Sequence, residues 1–227
     1  MDRKKDFPES VKTKCLLWSD RHCCLCDKRC GTDIEVHHIE EGKNDIENAI
    51  PLCYSCHAAI HHYNSMEPMG NRFRPKELKS GRDQIYEKYT CHLVPPIDFE
   101  VTQNIRDTPI KRKFPDIGFN IHHRGISHPV RAKIEARVKL DDKVLGMLKA
   151  HYNGSKKWNL NPLQKFYGHT SSLPKKAVEA VKDKGRLQID VRVTIIDRYE
   201  REHRLLPVGY VYMPDKNSWF AEPSVSW

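Results

Sequence analysis

The chain has 227 residues and a formal net charge of +9, with 38% hydrophobic residues and a mean hydropathy of −0.71. No apolar run approaches the roughly 18–20 residues that a membrane span requires, and the apolar content is low for one large core. The charged N-terminal stretch MDRKKDFPES is followed by no apolar segment, which is atypical of a secretory signal. We therefore expect a cytoplasmic protein without a membrane partner.

The two halves of the chain differ in chemistry. All eight cysteines lie within residues 1–95, where positive and negative charges balance, so the whole net charge of +9 arises in residues 96–227. At the boundary, Pro95 and Pro96 disfavour a continuous helix. The sequence therefore predicts two modules, a metal-rich one over residues 1–95 and a basic one over residues 96–227.

The first module is predicted to contain a helix, two strands and two further helices, in that order. Pro8 suits the first turn of a helix, and apolar residues recur on one face of the segment that follows it. Apolar and polar residues alternate in DIEVHHIE, which predicts a strand. The second strand, NAIPLC, is expected to have Pro51 at its end. The predicted helices are PESVKTKCLLWSD, HAAIHHY and PKELKSGRDQIYEKY.

Two C-x2-C pairs indicate a structural zinc site. Thiols stay reduced in the cytoplasm, where spaced cysteines are more typical of metal binding than of disulfides. Two such pairs can supply a tetrahedral four-thiolate site. The four predicted ligands are Cys23, Cys26, Cys53 and Cys56. Cys24 or Cys30 could replace a ligand of the first pair, but Cys23 and Cys26 have the spacing of the second pair.

Several histidines remain for a second site. His57 and His61 are four residues apart, so they project from one face of a helix, and His37 on the preceding strand is available as a third ligand. Three imidazoles leave coordination positions open, as in a catalytic metal site. His38 points to the opposite side of the strand, close to the ion without binding it, where a general base is needed.

A second structural site is the alternative interpretation of these histidines. In that case His62 would be the fourth ligand. Its position five residues after His57 is poorly suited to the same helix face. We therefore interpret His62 as a flanking residue that contacts phosphate.

The first module resembles the HNH nuclease family. The ordered motif consists of His37, His38, Asn48, His57 and His61. The two C-x2-C pairs are similar to those of the family's zinc-stapled branch, and the resemblance extends from about Ser10 to Tyr89.

The resemblance implies a ββα-metal fold and a role for each motif residue. His38 would be the general base that removes a proton from the attacking water. His37, His57 and His61 would hold one divalent ion (Mg²⁺, Mn²⁺, Ni²⁺ or Zn²⁺) that binds a phosphate oxygen and stabilises the leaving 3′-oxygen. Asn48 would brace the loop that orients His38.

The second module is predicted to be β-rich. Strict alternation of apolar and charged residues over 130–140 and 187–195 predicts two half-buried strands, and PVGYVYM predicts a third. The segments DKVLGMLKA and PKKAVEAVKDKG are predicted to be short helices. The expected fold class is α+β, with a ββα-metal module followed by a sandwich-like domain.

Basic side chains of the second module are candidates for binding a phosphate backbone. Together with His62, the predicted nucleic-acid-binding residues are Lys111, Arg112, Lys113, Arg131, Lys133, Arg137 and Lys139. The alternative is a charged face that is only solvated, because no residue pattern in this module indicates contacts with nucleobases.

These features predict a metal-dependent HNH endonuclease that hydrolyses phosphodiester bonds in DNA. Restriction or anti-phage defence is the expected context, by analogy with the family. The sequence itself does not exclude RNA. The alternatives are a catalytically silent, zinc-bearing adaptor for nucleic acid or protein, and a C-terminal half that docks a partner protein.

Overall fold

The computed structural model describes residues 6–40, 42–61, 73–104, 116–151, 158–170, 173, 177 and 186–222. The chain forms two compact units with a mixed α+β composition dominated by β-strands. One unit comprises Met1–Leu93 with Tyr199–Arg201, and the other comprises Val94–Arg198 with Glu202–Trp227. Among the described residues, no helix is long and apolar enough to cross a membrane.

The first unit has the predicted order of elements. Short 3₁₀ turns precede β2, at Ile46–Asn48, and follow α3, at Cys91–Leu93. The helices and strands are α1 (Glu9–Trp18), β1 (Ile34–His38), β2 (Ala49–Cys53), α2 (Tyr54–His61) and α3 (Pro75–Thr90).

Strands β1 and β2 pair in antiparallel fashion, with Ile34 opposite Cys53 and His38 opposite Ala49. Pro51 lies in the middle of β2 rather than at its end, so the predicted position was wrong. The Pro51 carbonyl accepts a hydrogen bond from the Cys24 N–H at 2.9 Å. Because the nitrogen and oxygen of one strand residue point to the same side, the Pro51 nitrogen also faces away from β1. The proline therefore removes no hydrogen bond from this ladder.

Helix α3 covers the hairpin. Leu78 and Tyr86 of α3 are in the same buried cluster as Ile50 and Leu52 of β2. Arg82 is only 3% exposed, and its guanidinium donates to the carbonyl oxygens of residues 46 and 47, at 2.7 Å for the latter. This buried cation fixes the segment that leads into β2.

The second unit consists of antiparallel strands. Their order in the sheet is β12-β11-β9-β5-β6-β8-β4-β3, with β10 beside β9 and β7 beside β5. The strands are β3 (Ile97–Asn104), β4 (Asp116–His123), β5 (Val130–Leu140), β6 (Lys143–His151), β7 (Trp158–Leu160), β8 (Lys165–Thr170), β9 (Leu187–Ile196), β10 (Glu202–Arg204), β11 (Val208–Met213) and β12 (Ser218–Glu222).

Side-chain hydrogen bonds connect the two ends of this sheet. The Gln103 amide in β3 accepts from the Trp219 N–H in β12 at 2.8 Å and donates to the Trp219 carbonyl. The sheet encloses one core, in which Phe119 stacks on Trp158 with ring centroids 5.1 Å apart. The inward face of β5 is buried from Val130 to Val138 at alternate positions, as its pattern predicts.

The segment DKVLGMLKA forms β6, so the predicted helix was wrong. Asp141 and Asp142 both have positive φ, 46° and 64°, and form the tight turn between β5 and β6. Such a turn returns the chain directly along the preceding strand, where Ala136 pairs with Leu148. Pairing with β5 overrides the local helical preference. The predicted helix PKKAVEAVKDKG lies almost entirely outside the described residues.

Candidate metal centre

Four cysteines of the first unit converge on one point. The Sγ atoms of Cys23, Cys26, Cys53 and Cys56 all lie within 4.8 Å of one another. The Cys26 and Cys53 sulfurs are 3.9 Å apart, and two thiolates on a tetrahedral zinc are about 3.8 Å apart. The cluster therefore fits a structural metal ion such as zinc.

The other cysteines lie outside this group. Cys24 is 3% exposed and packs in the core, while the Cys30 thiol donates to the Lys28 carbonyl at 3.1 Å. None of the eight cysteines forms a disulfide. The geometry therefore favours the four cysteines that the matching spacing predicts.

Local backbone geometry builds each half of the cysteine cluster. In the first half, the Asp27 N–H donates to the Cys23 carbonyl at 2.9 Å, and Asp27 has φ of 58°. In the second half, Cys53 ends β2 and Cys56 lies in the first turn of α2. The Cys56 N–H points at the Cys53 sulfur, 3.4 Å away. A strand end and a helix start thus form one half of the site, and a tight turn forms the other.

The thiols within the cluster differ from one another in acidity. Burial opposes ionisation of Cys53, but the Cys56 N–H and the neighbouring thiols stabilise its thiolate and lower its pKa to about 7. Burial and the neighbouring thiols raise the pKa of Cys56, and burial raises the pKa of Cys26. Metals bind the thiolate, so the lowered pKa of Cys53 favours metal binding at this thiol.

Two of the predicted histidine ligands face each other. The His57 Nε2 and His37 Nδ1 atoms are 3.1 Å apart. Two imidazole ligands of a tetrahedral ion are about 3.3 Å apart, so the pair suits one ion. His61 lies one turn after His57 in α2, but its side chain is outside the described part of the chain. The His57 Nδ1 atom contacts the Glu35 carboxylate at 3.0 Å.

His38 lies on the other side of β1. Its ring stacks on Phe7 with centroids 3.7 Å apart and planes inclined by 13°. The His38 Nε2 atom is 2.7 Å from the Asn44 side-chain oxygen. Because an amide oxygen only accepts hydrogen bonds, this contact requires a proton on Nε2. In the neutral imidazole, Nδ1 is then the proton-accepting nitrogen.

Asn48 holds the loop that contains Asn44. Its side chain is 2% exposed. The Asn48 oxygen accepts from the Glu40 N–H at 2.8 Å, and the amide donates to the carbonyls of Glu40 and Lys43 at 2.6 and 2.7 Å. These three hydrogen bonds fix the loop that follows His38.

The basic residues of β5 lie close to acidic partners. Arg137 and Lys139 both contact the buried Asp190 carboxylate, at 3.2 and 2.5 Å. Lys133 contacts Glu135 at 2.9 Å. These two acids thus pair with three of the four basic side chains on the outward face of β5.

The remaining predicted nucleic-acid-binding residues are only partly described. Arg131 alternates with the buried residues of β5 and so lies on its outward face. His62, Lys111, Arg112 and Lys113 lie outside the described residues.

Comparisons with known proteins do not identify a family. No family model matches the chain, and no curated protein matches it. A FixG-related protein from Vibrio parahaemolyticus is similar in structure with 10% identity and a TM-score of 0.28, over 49% of this chain and 93% of that chain. A protein from Archaeoglobus fulgidus has 12% identity and a TM-score of 0.30, over 56% of this chain and 98% of that chain. Similarity at this level assigns no function.

Sequence reasoning missed two residues that contact the predicted site. Glu35 precedes His37 by two positions, so strand alternation places both on one face and could have identified it. Asn44 lies in a polar loop without a periodic pattern, and no sequence signal distinguishes it from its neighbours.

The four-cysteine site predicts different outcomes for two cysteine substitutions. Cys56→Ala should remove one equivalent of bound zinc and destabilise the first unit strongly, because structural zinc contributes on the order of 10 kcal/mol to small metallo-domains. Cys30→Ala is the matched control and should keep the zinc of the wild type. Elemental analysis of the purified proteins and thermal unfolding measure both effects. Equal zinc loss in the two variants would contradict the ligand assignment.

The Asn48 hydrogen bonds predict a further difference in stability. Asn48→Ala leaves buried backbone groups of the loop without partners and should lower the free energy of unfolding by about 1–3 kcal/mol. Asn159 in β7 provides a control, since its side chain is exposed and Asn159→Ala leaves no buried polar group behind. Denaturant titration of the zinc-loaded chain measures both. An unchanged Asn48→Ala protein would show that the loop does not depend on this side chain.

Proposed function

We propose that the chain is a metal-dependent endonuclease of the HNH type that hydrolyses phosphodiester bonds in DNA. One observation carries the proposal: His37 and His57 bring ring nitrogens to 3.1 Å on one side of β1, while His38 is held on the other side. This combination suits an ion bound beside a base that does not bind it. The hairpin followed by a helix is the arrangement that an HNH module requires.

The proposed metal site consists of His37, His57 and His61. A divalent ion bound there would polarise the scissile phosphate and stabilise the leaving 3′-oxygen. Three protein ligands leave positions open for substrate and water. The donor set fits Ni²⁺ or Zn²⁺ on affinity, while Mg²⁺ and Mn²⁺ are the alternatives.

Residues around His38 orient this side chain as the general base for the attacking water. His38 accepts its proton at Nδ1, because Asn44 occupies Nε2. Phe7 packs against the ring and restricts its rotation, while Asn48 fixes the loop on which Asn44 lies. These contacts orient the base before substrate binds, so no ring reorientation is needed in the reaction.

The four-cysteine cluster would act as a zinc staple of the same module. It joins the turn before β1 to the junction of β2 and α2, the two segments next to the proposed catalytic histidines. Zinc at this site requires reduced thiols, so we propose that the protein works in the cytoplasm.

The second unit would supply affinity for the nucleic acid. The proposed contacts are made by the outward basic residues of β5 and by the cluster at residues 111–113. Because Asp190 of β9 and Glu135 of β5 contact three of these basic residues, we expect modest rather than strong non-specific binding. DNA is the proposed substrate, and restriction or anti-phage defence the proposed context, both by resemblance to the HNH family.

A plasmid-cleavage assay tests this function. The zinc-loaded protein is supplied with Mg²⁺, Mn²⁺, Ni²⁺ or Co²⁺ in turn and compared with His38→Ala. Loss of the general base should slow cleavage by about 10²–10⁴-fold, while the variant keeps its zinc and its fold.

His22→Ala is the matched control for this assay, since His22 stacks on Tyr89 and belongs to no proposed site. It should cleave like the wild type. Absence of cleavage with every ion would contradict the nuclease proposal, and equal cleavage by His38→Ala would contradict the assigned base. DNA binding without cleavage would favour the adaptor function.

A further inference from the structure

Glu35 and His37 contact the same imidazole from adjacent positions on one face of β1. The Glu35 carboxylate lies 3.0 Å from His57 Nδ1, and His37 Nδ1 lies 3.1 Å from His57 Nε2. Both ring nitrogens of His57 are therefore engaged by side chains of one strand. This arrangement depends on strand alternation, which puts residues 35 and 37 on the same side.

The Glu35 carboxylate determines which nitrogen of the His57 ring carries the proton. An ionised carboxylate only accepts hydrogen bonds, so the contact requires a proton on His57 Nδ1. In the neutral ring, the lone pair then lies on Nε2 and points toward His37. A metal-binding histidine commonly donates its other ring N–H to a carboxylate, which fixes the ring orientation and makes the ligand more basic.

We propose that Glu35 is a positioning residue of the histidine metal site, which holds His57 with Nε2 directed at the ion shared with His37. The inference rests on the proposed function, since it concerns the same metal site. It adds a residue outside the HNH motif that the sequence resembles. Glu35 does not touch the ion or the substrate in this role.

A plain surface ion pair is the competing explanation. The Glu35 side chain is 49% exposed, and exposed ion pairs contribute little to stability. The two explanations differ in one consequence. A surface pair can be removed without changing metal affinity, whereas loss of a residue that orients a ligand weakens metal binding, typically by about 10–100-fold.

Cobalt binding to the full-length, zinc-loaded protein distinguishes the two explanations. Co²⁺ is titrated by calorimetry and by its visible absorption, and His57→Ala identifies the signal that belongs to the histidine site. Glu35→Ala should weaken this binding by about 10–100-fold. Glu35→Gln should retain most of the affinity, because its side-chain oxygen still accepts the Nδ1–H.

Asp33→Asn provides the matched control for charge. Asp33 is exposed and lies just before β1, so this variant removes a nearby negative charge without touching His57. It should bind cobalt like the wild type. Ring-nitrogen NMR should show the Nδ1–H tautomer of His57 in the wild type and in Glu35→Gln.

Three results would overturn the assignment of Glu35. Wild-type affinity in Glu35→Ala would show a surface ion pair only. Equal weakening in Glu35→Gln and Glu35→Ala would show an effect of charge rather than of the hydrogen bond. Absence of a His57-dependent cobalt signal in the wild type would refute the metal site itself.

The outcomes also separate this inference from the nuclease proposal. Plasmid cleavage by the wild type, together with unchanged cobalt affinity in Glu35→Ala, would overturn the role of Glu35 alone. Cobalt binding that depends on Glu35, without cleavage of DNA by any ion, would refute the nuclease and leave Glu35 as a positioning residue of a metal site.

Discussion

The antiparallel pairing of β1 with β2 is the constraint on which the features of the first unit depend. Its register sets Ile34 opposite Cys53, so the chain that carries the first cysteine pair enters beside the end of β2. The same register presents His37 to α2 and His38 to the opposite side. A slip of one residue would exchange the two faces of β1. The cysteine cluster and the packing of α3 on β2 oppose such a slip.

The sequence was informative where spacing or alternation acts locally. The repeated C-x2-C spacing identified the four converging cysteines, and alternation located β5 and β9 closely. Elsewhere, pairing between strands overrides the preference that the local sequence indicates. Pro51 fits within β2 because its nitrogen faces away from β1, and the segment after Asp142 becomes a strand because a tight turn returns it along β5. The contact of Asn44 with His38 depends on loop closure, which no local pattern encodes.

The charge on the surface of the second unit likewise cannot be predicted from composition alone. Composition indicates a basic module, but the register of β5 and β9 sets Arg137 opposite Asp190. Lys139 reaches the same carboxylate, and Lys133 pairs with Glu135 on the same strand. Charge counting along the sequence cannot reveal the cross-strand contacts of Arg137 and Lys139 with Asp190. The net charge thus overstates the positive field that this face offers a phosphate backbone, and the proposed function depends mainly on the histidines of the first unit.

In the function that we propose, the hairpin supports two metal sites of different kinds, a closed cysteine site and an open histidine site. Anomalous diffraction from crystals of the zinc-loaded protein soaked in Co²⁺ locates both ions. We predict zinc at the four sulfurs, and cobalt at His37, His57 and His61 with at least one coordination position filled by water. Cobalt found only among the cysteines, or enclosed by four protein ligands at the histidines, would contradict this proposal.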